Sequence, residues 1–125
     1  MSQAAADALQ GRLVSFAVRI MELVGHMPNT PVGRHVSGQV LRSGTAPAPN
    51  YGEARGAESR AHFVHKFRIS VKELNETGIW LLMILEARMV PTELVENLIK
   101  EDRELAGILG ASIRTVQAEA SRSSK

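Results

Sequence analysis

The chain has 125 residues, a net charge of +2, 44% hydrophobic and 4% aromatic residues, and no cysteine. That length sets one domain as the prior and is enough to bury a core. The missing cysteines exclude disulfides, thiolate metal sites and cysteine nucleophiles. No run reaches about 18 apolar residues, which excludes a membrane-spanning helix, and the small positive charge permits nucleic-acid binding without indicating it.

The start, MSQAAADALQGR, lacks a basic segment followed by an apolar run, so no signal peptide is expected. Residues 1–6 are expected to be flexible. A first helix is predicted from Asp7, as N-cap, to His26, with Leu9, Leu13, Phe16, Ala17, Ile20 and Val24 on its buried stripe. Gly25 and Pro28 end it.

Thr30 and Pro31 open a second helix, in which Val32, Val36, Gln39, Val40 and Ser43 keep a helical stripe. GTAPAPNYGEARG follows. Pro47 and Pro49 each remove a backbone donor, which favours a turn-rich loop. Continuing the helical count keeps Ala46, Pro47, Asn50 and Ala54 on the same stripe. Two paths therefore stay open: a break near Gly44, or a kinked helix reaching about Arg55.

The longest element is predicted from Ser59, its cap, to Met89. Phe63, Phe67, Ser70, Leu74, Thr77, Leu81 and Leu85 mark one face, widened by Val64, Val71 and Leu82. At about 1.5 Å per residue it spans roughly 45 Å and needs long partners. Ile69, Glu73, Glu76, Trp80 and Met83 form a second stripe, and Ile79–Leu85 is apolar all round. A small bundle covers one side of a helix. The reading is therefore an oligomer interface at Ile69, Trp80 and Met83, against the plainer one of a central core helix.

Pro91 stops this helix, and Thr92 caps a last one with Leu94, Leu98, Leu105, Ile108, Leu109, Ser112 and Val116 on its stripe. The end, AEASRSSK, is expected to be disordered. The predicted fold is all-α: an up-down-up-down four-helix bundle spanning 7–120 as one domain, with flexible ends at 1–6 and 121–125.

Gln39, Arg42, Asn50 and Glu53 on the second helix, with Glu73 and Glu76 on the third, are predicted to form a structural polar belt. In it Arg42 pairs with Glu73 or Glu76 and Asn50 bonds to backbone. Bundle metal sites need a Glu-x-x-His pair on facing helices, which is missing here, so no metal is assigned. No catalytic residue and no cofactor are assigned either: spacing shows no nucleophile beside a base and no phosphate-binding loop.

Charge is unevenly placed, with seven basic against two acidic residues from Arg34 to Lys72, and three against eight from Glu73 to Glu104. Arg55, Arg60, Arg68 and Lys72 are the candidate nucleic-acid contacts, with a solvated face as the competing reading. A few cations per subunit bind phosphate weakly and gain when repeated in an assembly.

QVLRSGTAPAPNYGEA, HFVHKFRISVKELNETGIWL and ELAGILGASIRTVQ together resemble the bacterial four-helix-bundle proteins first noted in intervening sequences of large-subunit ribosomal RNA genes. The resemblance runs from about Leu13 to Gln117. It is carried by Arg42-Ser43, Asn50, Glu53, Lys72-Glu73, Glu76-Thr77, Trp80-Leu81 and Ser112-Ile113-Arg114-Thr115. The chain departs from the pattern at Ala46-Pro47, Gly52 and Ala54. The resemblance implies a second helix that continues through the prolines and a ring-like homopentamer of a bacterium, and the absence of cysteine fits a reducing cytoplasm. A related group, the accessory proteins of diversity-generating retroelements, implies a reverse transcriptase and RNA or DNA as partners. Charge placement and the resemblance together support a non-enzymatic oligomeric scaffold with weak nucleic-acid binding; the alternative is a protein-interaction adaptor.

Overall fold

The computed structural model describes residues 1–123. It consists of α1 (Gln3–Val24), α2 (Pro31–Thr45), α3 (Pro47–Arg55), α4 (Arg60–Glu86) and α5 (Glu93–Ser123), with no strand among the described residues. α2 and α3 are one arm with a kink, so the architecture is the expected four-helix bundle.

The kink follows from the prolines. Pro47 has no N–H for the Ser43 carbonyl and Pro49 none for that of Thr45. Ala46 nevertheless stays in the right-handed helical region (φ −77°, ψ −35°), and the Asn50 amide donates to the Ala46 carbonyl at 3.2 Å. The helix therefore bends without ending, and of the two open paths the chain takes the longer. Other elements hold the bent arm: the Gln10 side chain donates to the Ala48 carbonyl (3.0 Å) and the Ser70 hydroxyl to that of Pro47 (3.3 Å).

Thr30 and Ser59 cap as the sequence predicts, accepting from the Gly33 and His62 amides at 3.0 and 3.1 Å. Asp7 does not cap. α1 starts earlier, with the Ser2 hydroxyl accepting from the Ala5 amide at 3.1 Å, because Ala4–Ala6 propagate a helix as well as any residues can. α4 ends at Glu86 rather than Met89. Arg88 takes a left-handed backbone (φ 52°), and the Met89 amide returns to the Ile84 carbonyl at 3.1 Å. α5 continues through Ser123 where a disordered end is predicted, since Ala118, Glu119 and Ala120 are good helix formers extending an existing helix. Residues 124 and 125 of that predicted end lie outside the described residues.

α1 packs on α2, α3 and α5, and α4 packs on α2, α3 and α5. α1 and α4 are therefore diagonal corners, as are α2 and α5. The core contains Leu13, Phe16, Ile20, Val40, Tyr51, Phe67, Leu74, Leu81, Leu105 and Leu109, each at most 2% exposed. Tyr51 is the member that periodicity misses, because it lies beyond the kink. Its ring meets that of Phe67 edge-on, with centroids 5.4 Å apart.

α1 and α2 approach closely at Gly44, where a Cβ would lie 2.8 Å from Ile20 Cγ1. Alanine would gain about 1 kcal/mol of helix propensity but overpack at a cost of about 1–3 kcal/mol. Gly44→Ala is therefore expected to lower the urea-unfolding free energy by about 1 kcal/mol. Gly11, with nothing near its missing Cβ, is the control: Gly11→Ala is expected to stabilise.

Candidate nucleic-acid and assembly surface

α4 turns Phe67, Ser70, Leu74, Thr77, Leu81 and Ile84 into the bundle. At 3.6 residues per turn the opposite side carries His65, Arg68 and Lys72, and then, towards the C-terminal end, Ile79 and Met83 with Leu82 beside them. The first three are exposed. Ile79, Leu82 and Met83 are 56%, 44% and 46% exposed. One outward face is thus basic in its first half and apolar in its second.

The candidate phosphate contacts differ in how free they are. Arg55 donates to Asp7 Oδ1 at 2.6 Å. Arg60, Arg68 and Lys72 are exposed and make no ion pair among the described residues. Lys66 is held by Glu53 at 2.5 Å, and that hydrogen bond lowers the Glu53 pKa.

The polar belt divides. Arg42 meets Glu73 at 3.1 Å, reaches Glu76, and donates to Gln39 Oε1 at 3.3 Å. The Trp80 indole donates to the same Glu76 oxygen at 3.0 Å. Asn50 donates instead to the Ala46 carbonyl at 3.0 Å, within its own helix. Glu53 lies apart with Lys66. The Arg42 side chain is 50% exposed, against 15% for Glu73 and 34% for Glu76, so this cluster is a half-open rim joining α2 to α4 and not a buried belt. Exposed pairs of this kind contribute about 0–1 kcal/mol.

The three interface candidates also separate. Met83 is exposed. Ile69 is half-buried, and Trp80 is half-buried with its ring edge-on to His35 at 6.0 Å. Sequence periodicity placed Ile79 and Leu82 on all-round burial; within one chain they are open. The pairing of Arg12 with Glu101 and Glu104, linking α1 to α5, is not legible in the sequence because the partners lie 89 and 92 residues from Arg12.

A cavity of about 500 Å³ opens where α3 and α5 do not meet, lined by Tyr51, Phe63, Phe67, Ile108 and Val116 among others. Among the described residues no three acidic or histidine side chains group as a metal site, and no helix is long and apolar enough to cross a membrane.

The family model for the 23S rRNA-intervening sequence protein matches residues 11–111. A solved structure from Bacteroides thetaiotaomicron, a protein of unknown function from the S23 ribosomal protein family, is 33% identical. The match covers 87% of this chain and 97% of that one, with a TM-score of 0.80. No curated protein matches the chain. Neither the family nor the solved structure indicates an enzyme class.

Proposed function

The chain belongs to the 23S rRNA-intervening sequence protein family, and from that premise we propose that it is a non-enzymatic, homo-oligomeric four-helix-bundle scaffold of the cytoplasm. In this reading it binds RNA or DNA weakly through cations repeated around the assembly. The observation that carries the reading is the outward face of α4. Its apolar half, Ile79, Leu82 and Met83, is open in a single chain and is covered most simply by another copy. Its basic half, Arg68 and Lys72 with Arg60 nearby, has no carboxylate partner among the described residues. Arg55, held by Asp7, contributes less.

Each phosphate contact adds to affinity and to its salt dependence, and assembly multiplies both. The Arg60→Ala, Arg68→Ala, Lys72→Ala triple variant is expected to bind single-stranded RNA more weakly. Its plot of log affinity against log salt should be shallower by roughly 0.7 for every phosphate contact removed. Lys66→Ala, whose ammonium is already occupied by Glu53, should change little. A triple variant with unchanged affinity and slope would remove the nucleic-acid half and leave an assembly that holds a protein partner.

A further inference from the structure

The face formed by α4 and α5 holds an incomplete site. Asp102 on α5 is 3% exposed, and its Oδ1 is enclosed without a hydrogen-bond partner. The carboxyl fits because position 78 has no side chain: a Cβ on Gly78 would lie 2.6 Å from Asp102 Oδ2. A groove of about 280 Å³ opens over it, between Asn75, Ile79 and Leu82 of α4 and Ile99, Arg103 and Ala106 of α5. Arg103 follows Asp102 directly and forms no ion pair with it. A buried carboxyl in this state lacks a donor.

The opposite face of the bundle offers one. Because α1 and α4 are diagonal corners, as are α2 and α5, the side formed by α1 and α2 looks away from that formed by α4 and α5. Val14, Val18 and Met21, at spacings of four and three, form a stripe on α1 that is 48%, 44% and 52% exposed. On α2, Gly44 meets α1, while His35, Arg42 and Ser43 meet α4. Helical geometry then puts Arg34 on the α1 side of the outward surface. Arg34 is exposed, and its partner is a neutral oxygen, Asn29 Oδ1, at 3.0 Å.

The two faces also lie toward the same end of the bundle. The alternation of the arms makes α1 and α4 run the same way. Val14–Met21 occupy the last turns of α1, and Ile79–Met83 those of α4. Arg34 is in the first turn of α2, at that same end.

We propose that the α1–α2 face of a second copy seats in the α4–α5 groove, and that its Arg34 guanidinium pairs with the Asp102 carboxylate lining that groove. The proposal rests on the oligomeric reading above and names its contact. Different patches meet, so the interface is heterologous. The rotation between neighbouring copies sets whether repetition closes a ring.

Sedimentation velocity over a range of concentrations tests it with the wild type, Asp102→Asn, Arg34→Gln and the double variant. The wild type is expected to assemble. Each single variant should need at least about tenfold more protein to do so, as for loss of one buried hydrogen-bonded charge pair. The double variant should need no more than the worse single. Arg34→Gln changes an exposed residue, so a folding defect does not cloud it. Variants that assemble at the wild-type concentration would overturn this contact and leave the scaffold standing. A wild type that stays monomeric at every concentration would overturn both.

Discussion

At pH 9 the dissociated Asp102→Asn chain is expected to be more stable than the wild type by up to roughly 4 kcal/mol, and at about pH 3 the two are expected to unfold together. Burial raises the Asp102 pKa from its ordinary 3.8 to about 7, with the Arg103 charge pulling it back slightly. An unfolded chain releases the proton near the ordinary value. Below that, both states hold the proton and the residue contributes nothing. Between the two values the folded chain alone holds it, so stability falls as pH rises. Above the higher value the full cost of a buried, unpartnered carboxylate is present. Asparagine stays neutral throughout and escapes this decline. Urea titrations at protein concentrations too low for assembly measure it. A wild-type stability that is flat from pH 5 to 8 would show that the carboxyl is solvated. In the assembled protein a guanidinium on Asp102 favours its charged form, so there the pH dependence should shrink.

Phe67→Ala is expected to destabilise the chain by about 3–5 kcal/mol. Phe67 is 2% exposed, and its ring touches Tyr51 at 5.4 Å and Phe63 at 4.4 Å between centroids. Truncation removes the transfer energy of the ring, leaves a void, and loses aromatic pairing of about 0.5–1.5 kcal/mol per pair. It also frees α3, because Tyr51 is that helix's largest buried side chain and Phe67 is its ring partner. Phe67→Leu keeps much of the volume and should lose clearly less. Equilibrium unfolding in urea measures both, and an alanine loss below about 1 kcal/mol would mean this end of the bundle is not packed.

Both residues lie in segments that the sequence describes unequally. Phe67 sits on a stripe of three- and four-residue spacings, and such stripes are legible because burial on one face of a helix repeats with the helix. The same logic revealed Leu13, Ile20, Leu74, Leu81 and Leu109, all nearly unexposed. The caps Thr30 and Ser59 were legible because a side-chain oxygen before a helix has one local job.

Asp102 was not legible. It lies on the buried face of α5 as a carboxylate among apolar residues, and only the gap at Gly78, 24 positions earlier, makes room for it. Tyr51 hid behind two prolines whose local preference is to stop a helix; tertiary contacts from Gln10 and Ser70 hold the bent arm instead. The Arg42 cluster was legible as a pairing of types, yet its exposure was not, and exposure decides that it is a rim. Lys66 is one of the seven cations between Arg34 and Lys72, yet Glu53 occupies it. Arg60, Arg68 and Lys72 keep their sequence assignment as candidates because nothing in the fold claims them.

The apolar run Ile79–Leu85 is the element on which fold and function meet. One chain buries Leu81 and Ile84 from it and leaves Ile79, Leu82 and Met83 outside. Native mass spectrometry of protein purified gently at low salt tests the scaffold reading most directly. The account predicts an integral multiple of the 13.6 kDa chain, five copies if the ring implied by the family resemblance forms, with bound nucleic acid that leaves as salt is raised. A single species at 13.6 kDa would contradict it, and the open face of α4 would then need another occupant.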